Sequence, residues 1–169
     1  MLSFPLAELV RLHIHHFTNI ISTMEHDEAP CLPKTLQAKF ECSQPLPPEV
    51  IAGFEFFNAG KFFEAHEELE IAWRREKGAI RDLYRGILQV GVGYYHIQRR
   101  NFRGARKMFL RCRQWLAPFP DECCGIDLAR FRRDFEAIEA QILQTDLLEH
   151  ASFTFQPIFY RVQSRAVSG

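Results

Sequence analysis

The chain has 169 residues, a length that suits one domain. Hydrophobic residues make up 47% and charged residues 25%, as in ordinary globular proteins, and sixteen Phe and two Trp supply enough apolar surface for a core. Lys plus Arg and Asp plus Glu each total 21, so the formal net charge is zero, which argues against a protein that coats nucleic acid, because phosphate binding needs a positive surplus.

Apolar residues recur at helical spacing nearly throughout, which predicts an all-α fold, a compact antiparallel bundle of about five or six helices. A first helix is expected from about Pro5 to Ile21, capped by Ser3, with Leu6, Leu9, His13, Phe17 and Ile20 on one stripe. Residues 1–30 read as an N-terminal extension carrying that amphipathic helix, and residues 31–169 as a single all-α domain. From Thr23 to Pro48 the chain is polar and holds Pro30, Pro33, Pro45, Pro47 and Pro48, so it reads as loop with a short helix at Lys34–Cys42.

The regular part begins at Pro48. One helix is expected from there to Phe57, stopped by Asn58-Ala59-Gly60. Others follow from Lys61 to about Arg75, from Ile80 to Arg100, and from Phe102 to Leu116, the last ended by Pro118 and Pro120. Pro118–Gly125 reads as a loop carrying the adjacent Cys123 and Cys124. Asp127 should cap a final helix on which Leu128, Phe131, Phe135, Ile138 and Ile142 repeat at helical spacing. The aromatic tail from Phe153 to Val162 is expected to pack as an extended strap.

Five cysteines (Cys31, Cys42, Cys112, Cys123, Cys124) are an odd number without a C-x-x-C pair, a poor basis for a disulfide framework or a zinc knuckle. Reduced thiols in a cytoplasmic protein are the expectation. No apolar run approaches the ~20 residues of a membrane helix. The opening MLSFPLAELVRL lacks a basic n-region and an A-x-A site, so no secretory leader is expected.

The densest chemistry lies in F-F-E-A-H-E-E-L-E at 62–70. On a helical wheel Phe62, Ala65, Leu69 and Trp73 make the apolar face; His66 falls inside it, Glu70 sits on its edge one turn on, and Glu64, Glu67 and Glu68 point away. A buried carboxylate needs a partner, and His66 is the nearest candidate donor. On the next helix Arg85, Gln89 and His96 share a stripe opposite Leu83, Ile87, Val90, Tyr94 and Ile97, with Gly86 and Gly93 flanking it to permit close approach. If the two rows face each other, His66, Glu70, Gln89, His96 and Arg85 surround one volume, with Trp73 and Phe63 at its rim. One reading is a ligand pocket. It includes a divalent metal held by His66, Glu70 and His96, or Glu70 orienting His66 as a general base. The other is a buried structural network whose members satisfy one another. The H-E-x-x-E spacing departs from the zinc helix H-E-x-x-H at its last position, and no cofactor or reaction is indicated.

F-N-A-G-K-F-F-E-A-H-E-E-L-E-I-A-W at 57–73, Y-R-G-I-L-Q-V-G-V-G-Y-Y-H at 84–96 and N-F-R-G-A at 101–105 together resemble the bacterial and archaeal family known as domain of unknown function three hundred and nine. G-I-D at 125–127 and Q-P-I near Pro157 also resemble its C-terminal part, so the likeness spans roughly 46–160. It implies an all-α bundle with Glu64, His66, Glu67, Glu70, Trp73, Gln89 and His96 at motif positions, and it implies no activity.

Other features carry weaker readings. Gly60, Phe62, Ala65, Leu69 and Ala72, echoed by Phe102, Ala105, Phe109 and Cys112, resemble the helix spacing of a tetratricopeptide repeat, hence an alternative as a protein-interaction module with a structural polar cluster; two near-copies at the wrong period are too few for a solenoid. Arg103, Arg106, Lys107 and Arg113 form a basic face, the only hint of an RNA or anion partner, and read more simply as a solvated face paired with acids. His13 and His16 are spaced for a metal but on a lone terminal helix. No phosphate loop, nucleophile elbow or dinucleotide fingerprint is present. A protein partner and the oligomeric state stay open.

Overall fold

The computed structural model describes residues 34–144 and 152–161. The expected helix at 5–21, its cap Ser3, the His13 and His16 pair and the boundary between a 1–30 extension and the following domain lie outside them. Among the described residues six helices form: α1 (Lys34–Glu41), α2 (Pro48–Asn58), α3 (Phe62–Arg75), α4 (Ile80–Gln98), α5 (Phe102–Leu116) and α6 (Leu128–Gln144). A minimal hairpin, β1 (Glu122–Cys123) against β2 (Ile126–Asp127), stands between α5 and α6. No helix among the described residues is long and apolar enough to cross a membrane.

The helix ends follow from identifiable chemistry. Pro48 opens α2, where a missing N–H costs nothing, and Gly60 at φ 72° turns the chain after it. Asn101 caps α5, its Oδ1 accepting from the Gly104 N–H at 2.9 Å. Asp127 caps α6 as expected, its Oδ1 accepting from the Arg130 N–H at 2.9 Å. The start of α4 is capped from afar: the Glu41 carboxylate at the end of α1 accepts from the Ile80 N–H at 2.6 Å.

Helix α4 is the central element, packed against both α3 and α5 and buried along nearly its whole length. Gly93 and Gly86 set its approach to α5: a Cβ at Gly93 would stand 2.5 Å from the Phe109 ring, and one at Gly86 2.6 Å from Leu116. A cluster of aromatic rings links the helices across the core. Tyr94 meets Phe57, Phe62 and Phe109 with ring centroids 5.3–5.9 Å apart, and Phe109 continues the cluster to Phe135 of α6.

The tail is the extended strap its composition suggested. Residues 152–161 bring Phe155 onto Phe62 and Tyr94. Ile158 is clasped by the Asn58 side chain, which accepts from its N–H at 2.7 Å and donates to its carbonyl at 3.2 Å. The hairpin and the disulfide were not expected. Cys124 and Gly125, both at positive φ (53° and 76°), make the tight turn where a loop was anticipated. Cys42 and Cys123 are disulfide-bonded across a sequence separation of 81, which corrects the expectation of reduced thiols throughout, while Cys112 and Cys124 are free and buried. An odd count excludes complete pairing but not one bond, and only the return of α1 to the hairpin brings these two sulfurs together.

Candidate functional site

The contacts of α3 and α4 fix which faces meet. Phe63 packs on Tyr95 at 6.3 Å, and the Trp73 ring lies under the Arg81 guanidinium at 4.7 Å. His66 and Glu70 stand on the stripe between Phe63 and Trp73, so they share the side of α3 turned toward α4. Arg85, Gln89 and His96 occupy the arc of α4 between its α3 contacts (Arg81, Tyr95) and its α5 contacts (Gly86, Gly93). The polar row thus forms the floor of a seam between α3 and α5.

At one end of the seam an aromatic clamp holds Arg85. Its guanidinium lies 3.8 Å from the ring centroid of Trp115 on α5 and 5.8 Å from that of Trp73 on α3. Arg81 adds a second cation to Trp73, and its Nε donates to the Trp73 carbonyl at 3.1 Å. Trp115 and Arg81 are the members that sequence reading missed. A signal existed for Trp115, which stands seven residues from Met108 and so extends a second stripe along α5.

His66, Glu70 and Arg85 are buried. Glu70 accepts from Arg74 Nη2 at 2.7 Å, so Arg74, one turn along its own helix, is one of its partners. Gln89 is completely enclosed, at 0% exposure, and among the described residues neither its Oε1 nor its Nε2 has a hydrogen-bond partner.

His96 is half-buried at the far end of the row and is tied into the α4–α5 turn. Its Nδ1 is 3.2 Å from Asn101 Nδ2. Because Asn101 Oδ1 is occupied by the Gly104 N–H, Nδ2 is the end presented to the ring; an amide nitrogen only donates, so Nδ1 accepts and the neutral ring carries its proton on Nε2. Burial lowers the His96 pKa below its ordinary value of 6.5, keeping the ring neutral near pH 7.

Among the described residues no three His, Cys, Asp or Glu side chains are grouped so as to hold a metal ion, and His66, Glu70 and His96 do not make such a group. On the basic face, Arg103, Arg106 and Lys107 are exposed, whereas Arg113 is bonded to Glu139 of α6 and lies 4.0 Å from Glu136.

No curated protein matches the chain. Residues 50–108, from α2 into α5, match the family described as Domain of unknown function (DUF309), a narrower span than the motif likeness over 46–160 and one that contains every seam residue but Trp115.

Proposed function

We propose that this helical protein binds a small organic ligand in the seam over α4, with Gln89 reading the ligand and the Trp73–Arg85–Trp115 clamp bounding its end. The observation that supports the reading is Gln89. A buried amide without partners costs about 1–3 kcal/mol, and the opposite side of α4, with Leu83, Ile87, Val90 and Tyr94, shows that the sequence supplies apolar residues where it needs only packing. A carboxamide offers a donor and an acceptor side by side. Its complement is a group with the reverse pair, such as a primary amide or the edge of a nitrogen heterocycle. His66 and Glu70 supply further polar atoms on the α3 wall, and His96 closes the far end. No reaction is assigned.

Native mass spectrometry of the full chain, together with thermal shifts against nicotinamide and adenine as probes, tests this. A bound molecule or a shift in the wild type that disappears in Gln89→Leu supports it. A wild type that carries no small molecule and shifts with no probe, while Gln89→Leu only raises the Tm, would leave the amide as a structural feature and overturn it.

A further inference from the structure

The disulfide lies outside the seam but reaches the helix that floors it. Cys42 follows the last residue of α1 and is half-buried, whereas Cys123 in β1 is buried, so Cys42 is the more exposed residue of the pair. One residue before Cys42, the Glu41 carboxylate caps α4 at Ile80 and rests against the preceding turn, where a Cβ at Gly78 would stand 2.5 Å from Glu41 Oε1. The Cys42 carbonyl accepts from the Cys124 N–H at 2.7 Å. The segment therefore has its covalent tie, its bond to the hairpin and its cap on α4 within two consecutive residues. A helix as short as α1 does not hold its shape by local interactions alone, so its position rests on these attachments and on the burial of Ala38.

We propose that the Cys42–Cys123 bond is a thiol–disulfide exchange site whose reduction by a dithiol frees α1 and withdraws Glu41 from the start of α4. One thiolate of the dithiol attacks the Cys42 sulfur, the bond to Cys123 breaks, and Cys123 leaves as a thiolate that takes up a proton. The second thiolate of the reductant then attacks its own sulfur in the mixed disulfide, releasing Cys42 and forming the cyclic oxidised reductant. Two electrons pass to the protein, and two cysteine thiols result. Cys124 is placed beside this exchange without competing in it: burial first, and the Glu41 charge second, push its thiol up to about 11, so at neutral pH it stays protonated and does not attack the neighbouring bond. The inference does not depend on the ligand reading, since its readouts are thiols and backbone amides.

Dithiothreitol added to the folded full chain is the test, followed by alkylation, far-ultraviolet circular dichroism and amide hydrogen exchange. Expected are two new alkylatable thiols, at Cys42 and Cys123, with helix content retained. Exchange should speed up across residues 35–42 and at Ile80, by about fivefold or more at Ile80, the factor that corresponds to losing a typical helix cap, while the middle of α4 near Leu88 stays protected. In the oxidised protein, Glu41→Ala should accelerate Ile80 alone and leave the disulfide in place. Reduction that occurs only as the whole chain unfolds, or a reduced protein that keeps Ile80 protected, overturns the proposal, as does an Ile80 amide indifferent to Glu41→Ala.

Discussion

The two sides of α4 are built on opposite principles. The side bearing Tyr94 and Gly93 is closed by aromatic rings from four other segments, each ring touching several others, so every contact there is backed up by another. The side bearing Arg85, Gln89 and His96 is equally buried through its centre, yet it carries a guanidinium between two indoles and an amide that has no partner among the described residues. Burial drives folding on the first side and opposes it at Gln89 on the second, because apolar area removed from water stabilises while the atoms of a buried, unbonded amide do not. A helix carrying both must draw its stability from the aromatic side, which leaves the polar side free to serve another purpose.

Substitution on the aromatic side should have the largest effects. Phe109→Ala removes a ring that contacts Tyr94 and stacks on Phe135, and should cost about 3–5 kcal/mol by chemical denaturation, in line with other buried Phe truncations. Gly93→Ala acts in the opposite sense by overfilling the same spot, and about 1–3 kcal/mol is expected. Made together, the two should cost less than their sum, because the truncated residue vacates the place the new methyl needs. Strict additivity would mean that Gly93 and Phe109 do not set the α4–α5 spacing. On the polar side the sign should reverse: Gln89→Leu should raise stability by about 1 kcal/mol, since it removes an unpaired buried amide at similar volume. A loss comparable to that of Phe109→Ala would erase the distinction between the two sides.

Local spacing made most of the scaffold legible. The apolar repeats of α2 to α6, the Asp127 cap, the strap after Phe153 and the shared stripe of Arg85, Gln89 and His96 all follow from intervals of a few residues. What spacing could not show are relations between distant segments. The cap on Ile80 comes from Glu41, 39 residues away, and the disulfide joins cysteines 81 apart. Trp115 enters the seam because Gly86 lets α5 come close, with a Cβ there 3.5 Å from that of Trp115, a fact about two helices that neither sequence states alone. His66 and Glu70 were placed on the right face of their helix, but the Glu70 partnership with Arg74 was passed over because Arg74 lies largely in solvent and a wheel assigns it outward.

The smallest expected effect lies where the polar side meets solvent, at His96, and its sign is fixed. The folded protein disfavours the charged ring, mainly through desolvation, and Nδ1 is already engaged as an acceptor by Asn101; the unfolded chain has neither constraint. As pH falls below about 6.5 the unfolded state takes up this proton before the folded state does, so stability present above that pH is lost progressively as the pH descends toward the lowered folded value. The chain holds six other histidines, so the comparison that isolates His96 is wild type against His96→Asn, each unfolded by urea at pH 7.5 and at pH 5.5. The variant should lose less stability across that interval. The Asn101 cap on Gly104 should persist in it, because that bond uses the other end of the Asn101 amide. Equal losses in both proteins would show that the ring is no harder to protonate in the fold than out of it, and that the polar row ends at Gln89 rather than at the turn.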